Sequence, residues 1–340
     1  MTNSNIPSIA DLFVNEVFKR FANKADLALY LQTELNIGSS AAYKRINGTT
    51  PLTVDDIIKL ATTLQISLDQ FIMPSYARVT FRSDAMRKLP QSYEQYLQNV
   101  VNMLGGFRNI PGLSTTSIGN ELPLFHYANF PNLYHFKLFY WKQTFWNFGT
   151  PEQLFSLDSY EVDQSIHKLT QSIGKEYYNI SSTEIWTDDL FTPILKQIAY
   201  FLQLRSFEDP NDALKLIEDV KKLNNTLQEF CKTGVKSFRS NTLIQSDIDV
   251  YYNELHDGTD GLIFNAGDMT YSFIKYDGPN FIHTQQEEFG KYSNQWIANI
   301  INKSSGISAR DQRDRRTFFA RVNKKIEEAE RNGRYVIGGL

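Results

Sequence analysis

Three leucines, Leu27, Leu31 and Leu35, recur every four residues and so fall on one face of a helix. Ala28 beside them is small enough for a second helix to cross closely. Asn36 follows where the chain has to turn, and asparagine tolerates the left-handed backbone that such turns use. Ser39 or Ser40 can cap the next helix, which runs from Ala41 to Ile46 and stops at Asn47-Gly48. Thr53 and Asp56 have the spacing of a capping box, and Val54, Ile57, Ala61 and Leu64 form an apolar stripe behind it. Ser67 opens a last short helix through Leu68 and Phe71. Helices this short bury their apolar faces only against one another, so Lys24 to Ile72 reads as one compact helical domain.

The order and lengths of these helices, with Asn47-Gly48 and the ending ISLDQFI, resemble the helix-turn-helix domain of repressor-like (XRE/Cro/C1-type) transcription regulators. An extra leading helix lies around Ser8 to Phe21. Two departures from that pattern stand out. Matching Leu27-Ala28 to the family's Leu-Ala pair makes the first helix of the motif about one turn longer, which keeps its face. Arg45 stands near a position that is commonly apolar, with Ile46 taking the packing role. The resemblance implies that the second helix of the motif enters the major groove of double-stranded DNA. The candidate contacts are then Ser39, Ser40, Ala41, Tyr43, Lys44, Arg45 and Thr49, with Thr50 beside them. Serines suit base edges and phosphates, an alanine methyl suits thymine, and the two cations suit guanine or phosphate. The same residues are also what any solvated helix face carries.

Charge argues for more than one copy. From Met1 to Arg78 seven basic residues are matched by seven acidic ones, so a single domain gains little from phosphates. Two domains on adjacent half-sites compensate, and a homodimer is expected. The same balance leaves room for a protein-interaction adaptor that retains the fold without binding DNA. The whole chain, with net charge −3, advertises no nucleic-acid partner through its global field.

Several classes are disfavoured. The single cysteine, Cys231, allows no internal disulfide and reads as a small buried hydrophobe in a reducing compartment. The opening MTNSNIPSIADLF lacks the basic and apolar regions of a secretory signal, and no apolar stretch reaches the roughly 18 residues of a membrane span. A cytoplasmic location is expected, with no membrane partner. The five histidines, His126, His135, His167, His256 and His283, have no metal-ligand spacing. Asp257, Asp260 and Asp268 fit turn chemistry better than calcium. No phosphate loop, serine elbow or kinase signature is present, so no enzyme, metal or cofactor is expected.

Beyond Met73-Pro74, residues 75–89 read as a linker. Tyr93, Leu97, Val100, Val101 and Leu104 form a helix stopped by Gly105-Gly106, and Arg108 to Asn120 is polar loop with one short strand at most. Glu121 to Asn147 is dense in rings. It reads either as a buried core helix or as a ligand pocket lined by Phe136, Tyr140 and Trp141, with His126 and His135 as polar handles for an unknown small-molecule effector. Lys137 is a further polar candidate. This segment and YYNISSTEIWTDDLFTPILKQIAYF resemble the C-terminal part of Bacteroidetes-type regulators of uncharacterised ligand, which implies a regulatory region. Asp209-Pro210 starts a long helix whose stripe, from Ala213 to Phe230, suits a dimer seam and an internal core equally. From Ile248 the period changes to two, and four runs separated by turn residues read as a strand meander. The last helix, opened by Ser308 and Asp311, carries mixed charges that suit a solvated face or an acidic partner.

The expectation is a mainly α protein with a small antiparallel sheet (α+β). A lambda-repressor-like helix-turn-helix domain spans 1–74, a linker 75–89, and a regulatory or dimerisation region 90–340. That region divides into helices over 90–237, a meander over 247–284 and terminal helices over 287–332.

Overall fold

The computed structural model describes residues 8–68, 71, 79–83, 89–108, 110–146, 148, 154–158, 164–239, 242–256, 258–309 and 312–339. The chain divides into two compact units between Thr80 and Phe81.

The first unit holds four helices: α1 (Ile9–Phe18), α2 (Lys24–Leu35), α3 (Ser39–Ile46) and α4 (Val54–Thr63). Each start has a local cause. Ser8 and Asp11 close a capping box on α1, Asn23 caps α2, and Thr53 and Asp56 close a second box on α4. Asn36 ends α2 in the left-handed conformation, with φ 53°. The start of α3 departs from expectation. Gly38, not a serine, is its N-cap, and no side chain caps it. Phe13, Val17, Leu27, Ala28, Leu31, Ala42, Leu60 and Ala61 form the core. Ala28 and Ala42 are almost fully buried, as small residues at a close helix approach are. Val54 is not part of the α4 stripe; it is 70% exposed, because its place in the first turn points away from the face made by Ile57, Leu60 and Ala61. Of the expected last short helix, residues 69, 70 and 72 lie outside the described residues, while Phe71 packs edge-on against Phe13.

The second unit is a mixed α/β structure, and here the expected small antiparallel sheet is corrected. Its helices are α5 (Tyr93–Gly105), α6 (Pro131–Thr144), α7 (Gln164–Tyr177), α8 (Thr192–Gln203), α9 (Asn211–Thr233), α10 (Glu287–Ile301) and α11 (Gln312–Gly338), with a 3₁₀ helix at Leu124–Asn129. Its strands are β1 (Ser114–Gly119), β2 (Ser181–Trp186), β3 (Val235–Arg239), β4 (Leu243–Tyr252), β5 (Gly261–Ala266), β6 (Met269–Asp277), β7 (Asn280–Thr284) and β8 (Ser305–Gly306). The sheet has eight strands in the order β3-β4-β2-β1-β5-β6-β7, with β8 on β4. β1, β2 and β4 are parallel, and the helices between them serve as the crossovers that parallel pairing demands. Only β5, β6 and β7 form the expected meander. β4, the first of the four runs, instead enters the parallel centre beside β2.

Two cores lie against the sheet. The larger gathers Leu97, Phe136, Ile173, Ile194, Leu216, Val220 and Phe318 from the helices with Val250 and Phe264 from the strands. The smaller holds Ile118, Ile185 and Ile263 under Ile297 of α10. The α9 stripe is internal core, with Leu216, Val220, Leu223 and Leu227 inaccessible, so it is no dimer seam. Of the expected linker, 75–78 and 84–88 lie outside the described residues. Arg82 pairs with the backbone of His283, and Phe81 packs edge-on against Phe289, which puts both in the second unit rather than in a free tether. Asp311 also lies outside the described residues; Ser308 bonds Asp249 and the Val250 amide. No helix among the described residues is long and apolar enough to cross a membrane.

Candidate nucleic-acid interface

The short helix α3 presents two unlike faces. Ala42 is inaccessible in the core, and Ile46 packs partly against it. Ser39, Ser40, Tyr43, Lys44 and Asn47 are exposed, and their spacing puts them on one side of the helix. Ala41 is half-buried at the edge of that side, and Thr49 is exposed just beyond the helix. Because Gly38 offers no side chain, no side-chain cap occupies the start of α3, while the Ala41 amide bonds the Gly38 carbonyl at 3.0 Å; the amides of Ser39 and Ser40 are the ones a helix start leaves for an acceptor such as an anion. The turn after α3 is tightly specified. Gly48 has φ +71° and lies against Asp11 of α1, and the Thr50 amide returns to the Lys44 carbonyl at 3.1 Å.

Arg45 separates from the other candidates. Its Nε donates to Asp56 at 3.2 Å, and both side chains are mostly covered, at 16% and 17% exposure. Asp56 is also the acid of the α4 capping box, so one carboxylate ties α3 to the start of α4. Burial alone would raise the Asp56 carboxyl, but its bonds to Thr53 and the Arg45 charge hold it below its usual value. The commonly apolar position near Arg45 is thus filled by an ion pair, and Arg45 is removed from the set facing outward. Two residues that the sequence did not mark as contacts, Lys24 and Asn47, join that set. Lys24, at the start of α2, donates to Asn47 Oδ1 at 3.1 Å, next to the exposed side of α3. The two are far apart in sequence, and no spacing rule links them.

Of the five residues considered for a ligand pocket, His126, Phe136 and Trp141 are buried in the second unit, and His135 and Tyr140 are half-buried. Phe136 is inaccessible and meets the rings of Phe155, Phe201 and Phe207. Trp141 packs on Tyr96 and Trp146, His135 against Phe155, and Tyr140 against Phe145. A hollow of about 220 Å³ borders this ring assembly at Phe207 and is lined also by Leu202, Arg205 and Pro210. Lys137 is buried too; its ammonium meets Glu121 at 2.5 Å and Gln197 at 3.0 Å. Glu121 also holds Lys275 at 2.6 Å, and Lys275 reaches Asp260 at 2.9 Å. This chain of charges clamps the end of β1 to the β5–β6 hairpin.

His126 belongs to a second buried network, around Glu184 of β2. His126 Nε2 lies 2.9 Å from Glu184 Oε2. Tyr177 donates to Oε1 at 2.8 Å, Ser182 to Oε1 at 3.1 Å, and the Trp186 indole to Oε2 at 3.0 Å. Burial alone would raise the Glu184 carboxyl. The His126 charge and hydrogen bond, the Lys236 charge and the Tyr177 bond outweigh it and bring it down to about 2. Lys236 of β3 is inaccessible and lies 2.8 Å from Ser182 Oγ and 3.9 Å from the centre of the Tyr177 ring. Burial pulls its ammonium down to about 7 against the opposing attraction of Glu184.

On the last helix, Arg321 pairs with Glu254, Lys325 with Asp188 and Asp189, and Arg334 with Glu330. Arg315 turns inward to the Ile307 carbonyl, and Arg310 lies outside the described residues. No protein family, no curated protein and no solved structure matches the chain.

Proposed function

We propose that the protein is a sequence-specific DNA-binding transcription regulator that reads the major groove with α3. The observation that carries this reading is the outward side of α3. Ser39, Ser40, Tyr43 and Lys44 project together from a helix whose start lacks a side-chain cap and whose inner side is fixed by Ala42 and the Arg45–Asp56 pair. Serine hydroxyls and a helix start without a side-chain cap suit phosphates and base edges. Tyr43 and Lys44 supply a ring and a cation, both a little over one turn from the start. Lys24, Asn47 and Thr49 extend the same side with further donors for the DNA backbone. The balanced charge of the unit calls for two copies on adjacent half-sites. The second unit then provides dimerisation or effector sensing, and the protein acts in the cytoplasm.

The balanced charge also favours a second reading, a protein-interaction adaptor that uses this side of α3 to hold a partner. Retention of fragmented genomic DNA separates the two. The full chain should retain DNA in a salt-sensitive manner, and Ser40→Ala with Lys44→Ala should abolish retention without altering thermal unfolding. An adaptor retains no specific fragments under any salt condition.

A further inference from the structure

Glu184 is the charged centre of the second unit, yet none of the recognition chemistry uses it. It is inaccessible, as is His126, while Ser182 is 5% exposed. The groups facing it come from every element packed around it: His126 from the 3₁₀ helix, Tyr177 from α7, Ser182 and Trp186 from β2 itself, and Lys236 from β3. Tyr178 lies 3.4 Å from the other ring nitrogen of His126. Cys231 of α9 is within electrostatic reach of Glu184 and of Arg315. One carboxylate therefore faces two groups that can carry positive charge.

Ser182 is the hinge of this arrangement. Its hydroxyl oxygen lies 2.8 Å from Lys236 Nζ and 3.1 Å from Glu184 Oε1. A hydroxyl has one proton to donate. With Lys236 charged, Nζ donates to Ser182 Oγ, and Ser182 must donate to Glu184. With Lys236 neutral, Nζ keeps two N–H bonds but gains a lone pair, so the Ser182 proton has a second acceptor and its bond to Glu184 Oε1 is no longer obligatory. We propose that Lys236, Ser182 and Glu184 form a proton-sensing relay inside the sheet, in which one proton taken up from solvent by Lys236 turns the Ser182 hydroxyl toward Glu184. The carboxylate that ties the 3₁₀ helix and α7 to β2 thereby reports the protonation of β3. This goes beyond DNA recognition and does not depend on it.

The Trp186 indole N–H, bonded to Glu184 at 3.0 Å, is the natural reporter. Its amide-type NMR signal, assigned with Trp186→Phe, is followed from pH 6 to pH 9 in the full chain. The expected result is a single step with a midpoint near neutral pH, absent in Lys236→Met and at least halved in Ser182→Ala. Thermal unfolding of both variants establishes that each is folded over the pH range before its titration is read. A flat signal in the parent protein overturns the proposal. So does a step that survives Lys236→Met and disappears in His126→Gln, which assigns the proton to the histidine, or a step unchanged in Ser182→Ala, which removes the relay.

Discussion

Lys44 and Arg45 are neighbours in the chain with opposite surroundings. Lys44 is exposed and has no ion pair among the described residues, while Arg45 is covered and bound to Asp56. Lys44→Ala should leave thermal unfolding unchanged and weaken DNA binding. Arg45→Ala should lower stability by about 1–3 kcal/mol, since it leaves the largely covered Asp56 without its partner; chemical denaturation of the isolated variants measures both. Similar residue-level logic governs Glu184 and Lys236. Folded Glu184 takes its proton near pH 2, against an ordinary 4.5. Between those values the unfolded chain binds more protons, so the stabilisation is present above pH 4.5 and is lost as the pH falls toward 2. Glu184→Gln should flatten that acid limb in pH-dependent denaturation. Lys236 runs the other way. Folded, it deprotonates near 7, against an ordinary 10.5. Between pH 7 and 10.5 the unfolded chain holds the extra proton, so stability rises with pH, by at most about 1.4 kcal/mol per unit. Lys236→Met should abolish that rise.

At the scale of elements, legibility followed the chemistry of the ends. The capping box Thr53/Asp56, the Gly105-Gly106 stop and the start near Asp209-Pro210 each mark a helix that the structure contains, whereas the Ser8/Asp11 box of α1 was not read from the sequence. The central strands β1 and β2 were much less visible. Buried parallel strands usually read as runs of Val, Ile and Leu, but these read STTSIG and SSTEIW. They are polar because their inner side serves hydrogen bonds: Thr115 donates to the Ile263 carbonyl, and Glu184 and Ser182 carry the buried network. That pairing brings together residues some sixty positions apart, such as His126 and Glu184, and no periodicity encodes it. The exposed side of α3 was readable from helix phase, whereas the inward turn of Arg45 required its partner eleven residues on. Gly174 on α7 shows how tightly these elements fit. A Cβ there would overlap the Phe238 ring of β3, so Gly174→Ala should destabilise the second unit by about 1–3 kcal/mol through overpacking, despite the better helix propensity of alanine. Thermal unfolding of that variant gives the sign.

At the scale of the whole molecule, the chain joins a small helical unit with balanced charge to a large α/β unit stabilised by rings and buried ion pairs. On the proposed reading, sensitivity to salt and a need for a partner copy both follow from the charge balance of the first unit. A monomeric reader with this charge balance would bind phosphates weakly, so specific binding should appear only at concentrations where two copies associate. The measurement that tests the central claim most directly is sequencing of the genomic fragments retained by the purified full chain at near-physiological salt. A recurring motif with two half-sites about one helical turn apart, lost with Lys44→Ala, is the predicted result. Retention with no common motif, or no retention across salt concentrations, would contradict the assignment of α3 as a DNA reader.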